Sequence, residues 1–170
     1  YKELYPQGSK PAQFYGTAKI HKVPLGEKDI TKLPLRPIIS NIGTATYNTS
    51  KFLAKFLSPL TKSNYTIESS TDFINQCKNI TIPKDYLLVS FDVCSLFTNV
   101  PLEYTIQLIV DKIYKEKLIN TNIAQQDLRK LLTLCTKQVH FSFNDNLYLQ
   151  MVSCWAHHLG QCLLTFLCHT

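Results

Sequence analysis

The chain has 170 residues, 45% of them hydrophobic, and a formal net charge of +6. That composition suits one domain, or most of one, with enough apolar surface for a real core. No apolar run is long enough to span a bilayer, and the N-terminal YKELYPQGSK lacks the form of a signal peptide, so an intracellular chain is expected. Six cysteines occur without a CxxC pair, and free thiols are the expectation. The charge is uneven. Residues 1–64 hold ten Lys/Arg against three Asp/Glu, whereas residues 65–170 hold eight against nine. A basic half interleaved with Tyr and Phe suits a polyanion such as nucleic acid; the plain alternative is a solvated Lys-rich surface.

Residues 1–13, with Pro6, Gly8 and Pro11, read as a loop or broken start. Gln13 to Lys22 favours a short strand with Lys19 and Lys22 near its end, followed by a polar linker through Pro34. Leu35 to Ser40 is a second strand, and Pro37 assigns it to a sheet edge. Arg36 stands in this apolar strand rather than on a charged face. A guanidinium there wants a planar oxyanion such as phosphate; the alternative is a structural pair with a buried carboxylate or a carbonyl.

Asn48 is placed to cap a helix over 49–58, with Phe52, Leu53, Phe56 and Leu57 in the core, Lys51 and Lys55 on the polar face, and Pro59 as the stop. Ser70 or Thr71 opens a short helix ending at Cys77. Leu87 to Val93 reads as a buried strand that carries Asp92 at its tip. Asp92 is then a turn residue or a ligand for a hard divalent cation. Pro101 starts a helix over 102–118 with Ile106, Ile109, Val110, Ile113 and Leu118 as its stripe. A further helix spans 122–138, with Leu128, Leu131, Leu132 and Cys135 facing inward. Val139 to Gln150 alternates as a hairpin turning at Asn144-Asp145-Asn146, with His140 a half-exposed strand residue. Strands and helices in this order give an α+β chain.

Four blocks occur in sequence: Phe14-Tyr-Gly-Thr-Ala-Lys-Ile-His-Lys22; Leu35-Arg-Pro-Ile38; Thr46-Tyr-Asn48 with Lys51-Phe-Leu-Ala54; and Val89-Ser-Phe-Asp-Val-x-Ser-Leu-Phe-Thr-Asn-Val-Pro101. Together they closely resemble the reverse transcriptases of Penelope-like retroelements, from about Phe14 to Gln150. Ala18 departs from the Pro that the family usually has there. The resemblance implies part of a polymerase right hand: fingers-like residues 14–86 and a partial palm over 87–150. It assigns Asp92 and the Val93 carbonyl to two Mg²⁺ ions, and Lys19 and Arg36 to the triphosphate. Phe97 becomes the bulky residue beneath the incoming sugar, where the alternative is an aromatic packed under the strand. The partners implied are an RNA template, a DNA primer and dNTPs, met by Lys22 and Lys51, in the nucleus for an active element.

No Asp-Asp pair follows Asp92, so the chain is expected to be inactive as it stands. Residues 151–170 read MVSCWAHHLGQCLLTFLCHT. Read in the frame that starts at the last base of the Met151 codon, the code permits Gly-Val-x-Leu-Gly-Ser-Pro-Leu-Gly-Pro-Val-Leu-Ala-Asn-Ile-Phe-Met-Ser-His, which resembles the family's next motif. A frameshifted tail is therefore expected. The competing zinc site on Cys154, His157, His158, Cys162, Cys168 and His169 has poor spacing. The alternative function is a non-catalytic nucleic-acid-binding module built on the basic face of residues 1–64.

Overall fold

A computed structural model describes residues 4–6, 8–23, 29–63, 66–87, 89–91, 100–149, 159–160 and 162–163. Among them, β-branched and aromatic residues between Ala12 and Ala18 form β1, and Leu35–Ser40 forms β2. The two pair antiparallel, from Gln13 opposite Ser40 to Ala18 opposite Leu35. β2 lies at a sheet edge, as Pro37 requires: it has no N–H to donate to a second neighbour. β1 stops at Ala18 because Lys19 leaves the extended region and Ile20–Lys22 closes a 3-10 turn.

Helix α1 covers Tyr47–Leu57 and buries Ser50, Leu53 and Leu57 on one stripe. Two sequence expectations change here. The cap position belongs to Thr46, not Asn48, because the turn from Asn41 to Thr44 already aligns the backbone for the first helical bonds. Asn48 instead donates from Nδ2 to the Tyr5 carbonyl at 2.8 Å and so ties down the preceding segment. Phe52 is exposed rather than core; it stacks on half-buried Phe56 at the edge of the stripe. Pro59 does end the helix, inside the 3-10 turn Ser58–Thr61. Helix α2, Ser70–Cys77, is capped by the Ser69 hydroxyl, which accepts from Asp72 N–H at 3.1 Å, and buries none of its residues.

Helix α3 covers Leu102–Tyr114 and α4 covers Gln125–Thr136. Ile106, Ile109, Val110 and Ile113 face Leu128, Leu132 and Cys135. Leu118 is exposed, contrary to the stripe reading. The helix closes at Tyr114, where the Leu118 N–H reaches back to the Lys112 carbonyl through a left-handed Lys117 (φ 55°) and turns Leu118 outward. The second helix is also shorter than 122–138; Leu131 is only partly buried. Polar cross-links hold the antiparallel pair: Lys137 donates to Glu103, Arg129 to Gln107, and the Tyr114 hydroxyl to the Ile123 carbonyl. Leu53, Leu57 and Val100 complete this core, together with Leu159 and Leu163 from the tail, four residues apart. Each fully buried leucine stabilises the fold by about 1.5–3 kcal/mol.

His140–Phe143 (β3) and Asn146–Leu149 (β4) form the expected hairpin. Its two-residue turn has Asn144 at φ 47° and Asp145 at φ 59°, the left-handed geometry that matches strand twist. β3 pairs parallel to β1, Ala12 with Phe141 and Gln13 with Ser142, so the sheet order is β2-β1-β3-β4. The chain is thus α+β, with one mixed four-stranded sheet and four α-helices among the described residues. A small second core, Ala12, Ile39 and Val139 with Phe14 and Phe141 against it, covers one end of the sheet.

The buried strand expected from Leu87 to Val93 does not form over its described part. Leu87 is 88% and Phe91 94% exposed, and none of the four strands pairs with this segment. Apolar alternation makes a segment fit a ladder, but a strand exists only where another backbone supplies donors and acceptors.

Candidate nucleic-acid interface

β1 and β2 carry their cations to one end of their hairpin. The Lys19 N–H donates to the Pro34 carbonyl at 2.9 Å, which extends the ladder by one bond beyond Ala18 and Leu35. The Lys22 N–H then donates to the Lys19 carbonyl at 2.9 Å, folding Lys22 back beside Lys19. Arg36 lies opposite Thr17, two residues before Lys19. Strand alternation puts Arg36 on the face shared with Thr17, Tyr15 and Ile38.

Lys22 and Arg36 are exposed and Lys19 is half-buried. Among the described residues, none of the three has an ion pair or a side-chain hydrogen bond. The structural alternative for Arg36, a buried carboxylate or carbonyl, is therefore not realised among those residues. The contrast with Arg129, the chain's only other arginine, is instructive: Arg129 is engaged by Gln107 in bracing α3 against α4. Lys51 is exposed on a different element, α1, also without an acidic partner among the described residues.

Asp92, Val93 and Phe97 lie outside the described residues, as do Cys154, His157, His158, Cys168 and His169. Cys162 is described, and its thiol points to the Ala54 carbonyl at 3.7 Å in the helical core; burial pushes its pKa up to about 11. Burial also raises that of Cys135. Thiols held protonated in this way are poor nucleophiles and metal ligands. The Lys137 hydrogen bond, with the ammonium's charge, holds the Glu103 carboxyl below its ordinary range. Among the described residues, no three His, Cys, Asp or Glu side chains converge to hold a metal ion, and no helix is long and apolar enough to cross a membrane.

Two features were not legible in the sequence. A cleft of about 420 Å³ opens beside the start of α1, lined by Lys10, Thr46, His140 and Leu147 among others, away from Lys19, Lys22 and Arg36. Phe14, Phe141, Phe143 and Tyr148 also meet in one aromatic row across β1, β3 and β4. The alternation within each strand was readable, but the parallel β1–β3 pairing that joins the rings was not.

Compared with known protein families, curated proteins and solved structures, the chain matches none.

Proposed function

We propose that this chain is part of an RNA-directed DNA polymerase of the Penelope-like type, comprising its fingers and the first part of its palm. The ordered motifs from Phe14 to Pro101 support this reading. The observation that carries it is the cluster of Lys19, Lys22 and Arg36 at one hairpin end, unpaired among the described residues. A guanidinium grips phosphate oxygens in a fork, while a lysine ammonium adjusts as a point charge. Arg36 and Lys19 on adjoining strand ends suit a dNTP triphosphate, and Lys22 and Lys51 suit the template–primer backbone. Phe97 would stand beneath the sugar.

In the whole enzyme, Mg²⁺ ions would stabilise the attacking 3′-oxygen and the departing pyrophosphate. Asp92 and the Val93 carbonyl are suitable hard donors. One carboxylate and one carbonyl do not make a site for two ions, however, and no Asp-Asp pair follows them. This chain alone therefore binds rather than polymerises.

Two assays test the reading. Primer extension with RNA template, DNA primer, dNTPs and Mg²⁺ should give no product; product that Asp92→Asn abolishes would overturn the inactivity. Binding of labelled dNTP should be lost in Arg36→Ala and Lys19→Ala. Wild-type binding in both variants would remove the polymerase reading. A second reading, a non-catalytic basic module, is favoured by the exposed cations alone. It expects salt-sensitive binding to RNA–DNA duplex, lost on changing Lys19, Lys22 and Lys51, without dNTP binding and indifferent to Asp92→Asn.

A further inference from the structure

We infer that the aromatic face of the sheet binds single-stranded nucleic acid by stacking unpaired bases, an inference that rests on the nucleic-acid reading above. Phe14 on β1 meets Phe143 edge-on at 5.1 Å between ring centroids and Phe141 at 5.7 Å, both on β3. Phe141 stacks on Tyr148 of β4 at 5.5 Å. Register and alternation put all four rings on one face: Phe141 is opposite both Ala12 and Tyr148, and Phe14 is two residues beyond Ala12.

The small core of Ala12, Ile39 and Val139 covers only one end of this face, where Phe14 and Phe141 are half-buried. At the two outer positions of the row Phe143 is 43% and Tyr148 45% exposed. The row is thus anchored at its middle, through Phe14 and Phe141, and open at both ends, a rigid ring platform rather than a loose apolar patch.

Its surroundings match a polyanion. Lys10 precedes β1 and Lys19 and Lys22 follow it, with Arg36 on the opposite face of β2, while the described sheet residues and their flanks, 8–23, 35–40 and 140–149, contain one carboxylate, Asp145, at the far hairpin turn. Lys10 and Lys19 are nine residues apart along extended chain, about 30 Å, enough to follow a strand's phosphates past the rings. Paired bases have their faces covered by their neighbours, whereas unpaired bases offer them to aromatic rings. The fitting occupant is a single strand, which in the polymerase reading is the template ahead of the primer.

The test is fluorescence anisotropy of the full chain with a labelled single-stranded RNA, alongside an RNA–DNA duplex. Tyr148→Ala and Phe143→Ala should each weaken single-strand binding roughly five- to 150-fold, the effect of losing one base–ring stack. The salt dependence should be unchanged, because no phosphate contact is lost. Leu147→Ala, on the opposite face of β4, should have no effect. Tyr148→Leu and Phe143→Leu keep apolar packing but remove the ring, and should behave as the alanine variants do, which separates stacking from misfolding. Single-strand affinity unchanged in all four ring variants overturns the inference, and leaves the polymerase reading intact if Arg36→Ala still loses dNTP. Ring variants that change self-association but not RNA binding assign the face to a second copy of the chain, and also overturn it. A wild-type chain that binds neither RNA nor duplex overturns this inference and the nucleic-acid reading together.

Discussion

Replacing Arg36 with alanine separates a binding cation from a structural one. The side chain is exposed on an edge strand and has no ion pair or hydrogen bond among the described residues, so stability should change by no more than about 0.5 kcal/mol. Binding should respond differently. With no dNTP present, Lys19 and Arg36 are free to join Lys22 and Lys51 on the duplex; if each of the four neutralises one phosphate, the log–log salt slope is about −3.6, and affinity falls about 150-fold between 50 and 200 mM salt. Without Arg36 the slope becomes about −2.7, and the same change of salt costs about 40-fold. Arg129→Ala removes the same charge from a residue already engaged by Gln107 on the α3–α4 pair, and should leave the slope alone. Anisotropy titrations of RNA–DNA duplex at four salt concentrations measure both variants. A slope unchanged by Arg36→Ala, or changed equally by Arg129→Ala, refutes the argument that Arg36 contacts duplex phosphate.

The core, the turns and the thiols give further tests. Leu163→Ala empties a fully buried position and should lower stability by about 2–5 kcal/mol in urea unfolding; a loss below about 0.5 kcal/mol would mean that the tail does not belong to the helical core. Gly8→Ala drives a new Cβ to 2.3 Å from the Gly43 carbonyl oxygen, a backbone atom that cannot swing aside, and should cost about 1–3 kcal/mol; a neutral result refutes that close approach. Asp145→Gly relieves the left-handed turn and should raise the melting temperature, by about 0.5–1 kcal/mol of stability. At pH 8, peptide mapping after iodoacetamide should find exposed Cys77 alkylated, with Cys135 and Cys162 protected. Because the folded state holds those two thiols protonated, their contribution to stability is fully present below pH about 9 and falls as pH rises above it, for Cys162 towards about 11. Stability rising over that range would contradict their burial.

Local chemistry was readable where a residue's own backbone preference decides the outcome. Pro37 marked an edge strand, Pro59 a helix end, and Asn144-Asp145 a hairpin turn, because ring constraint and tolerance of positive φ act within a few residues. The periodic leucines and isoleucines of α3 and α4 declared their buried faces in the same way. Errors arose where a neighbour decides. Asn48 reads as a cap until a turn at Asn41–Thr44 does that work, and Phe52 reads as core until Leu53 and Leu57 take the stripe. Leu118 reads as helix until a left-handed Lys117 turns it out.

The sequence by itself determined the α+β class, the excess of cations in the first 64 residues, and the ordered motifs behind the polymerase proposal. These depend only on residue identity and spacing. Tertiary structure alone decided that Lys19, Lys22 and Arg36 share one hairpin end and that Arg129 is structural. It alone joined Phe14 to Phe143 across a parallel pair, and left Leu87 and residues 89–91 without a ladder among the described strands. Pairing is a relation between distant backbones, and hydrophobic alternation specifies a face but never the partner that will cover it.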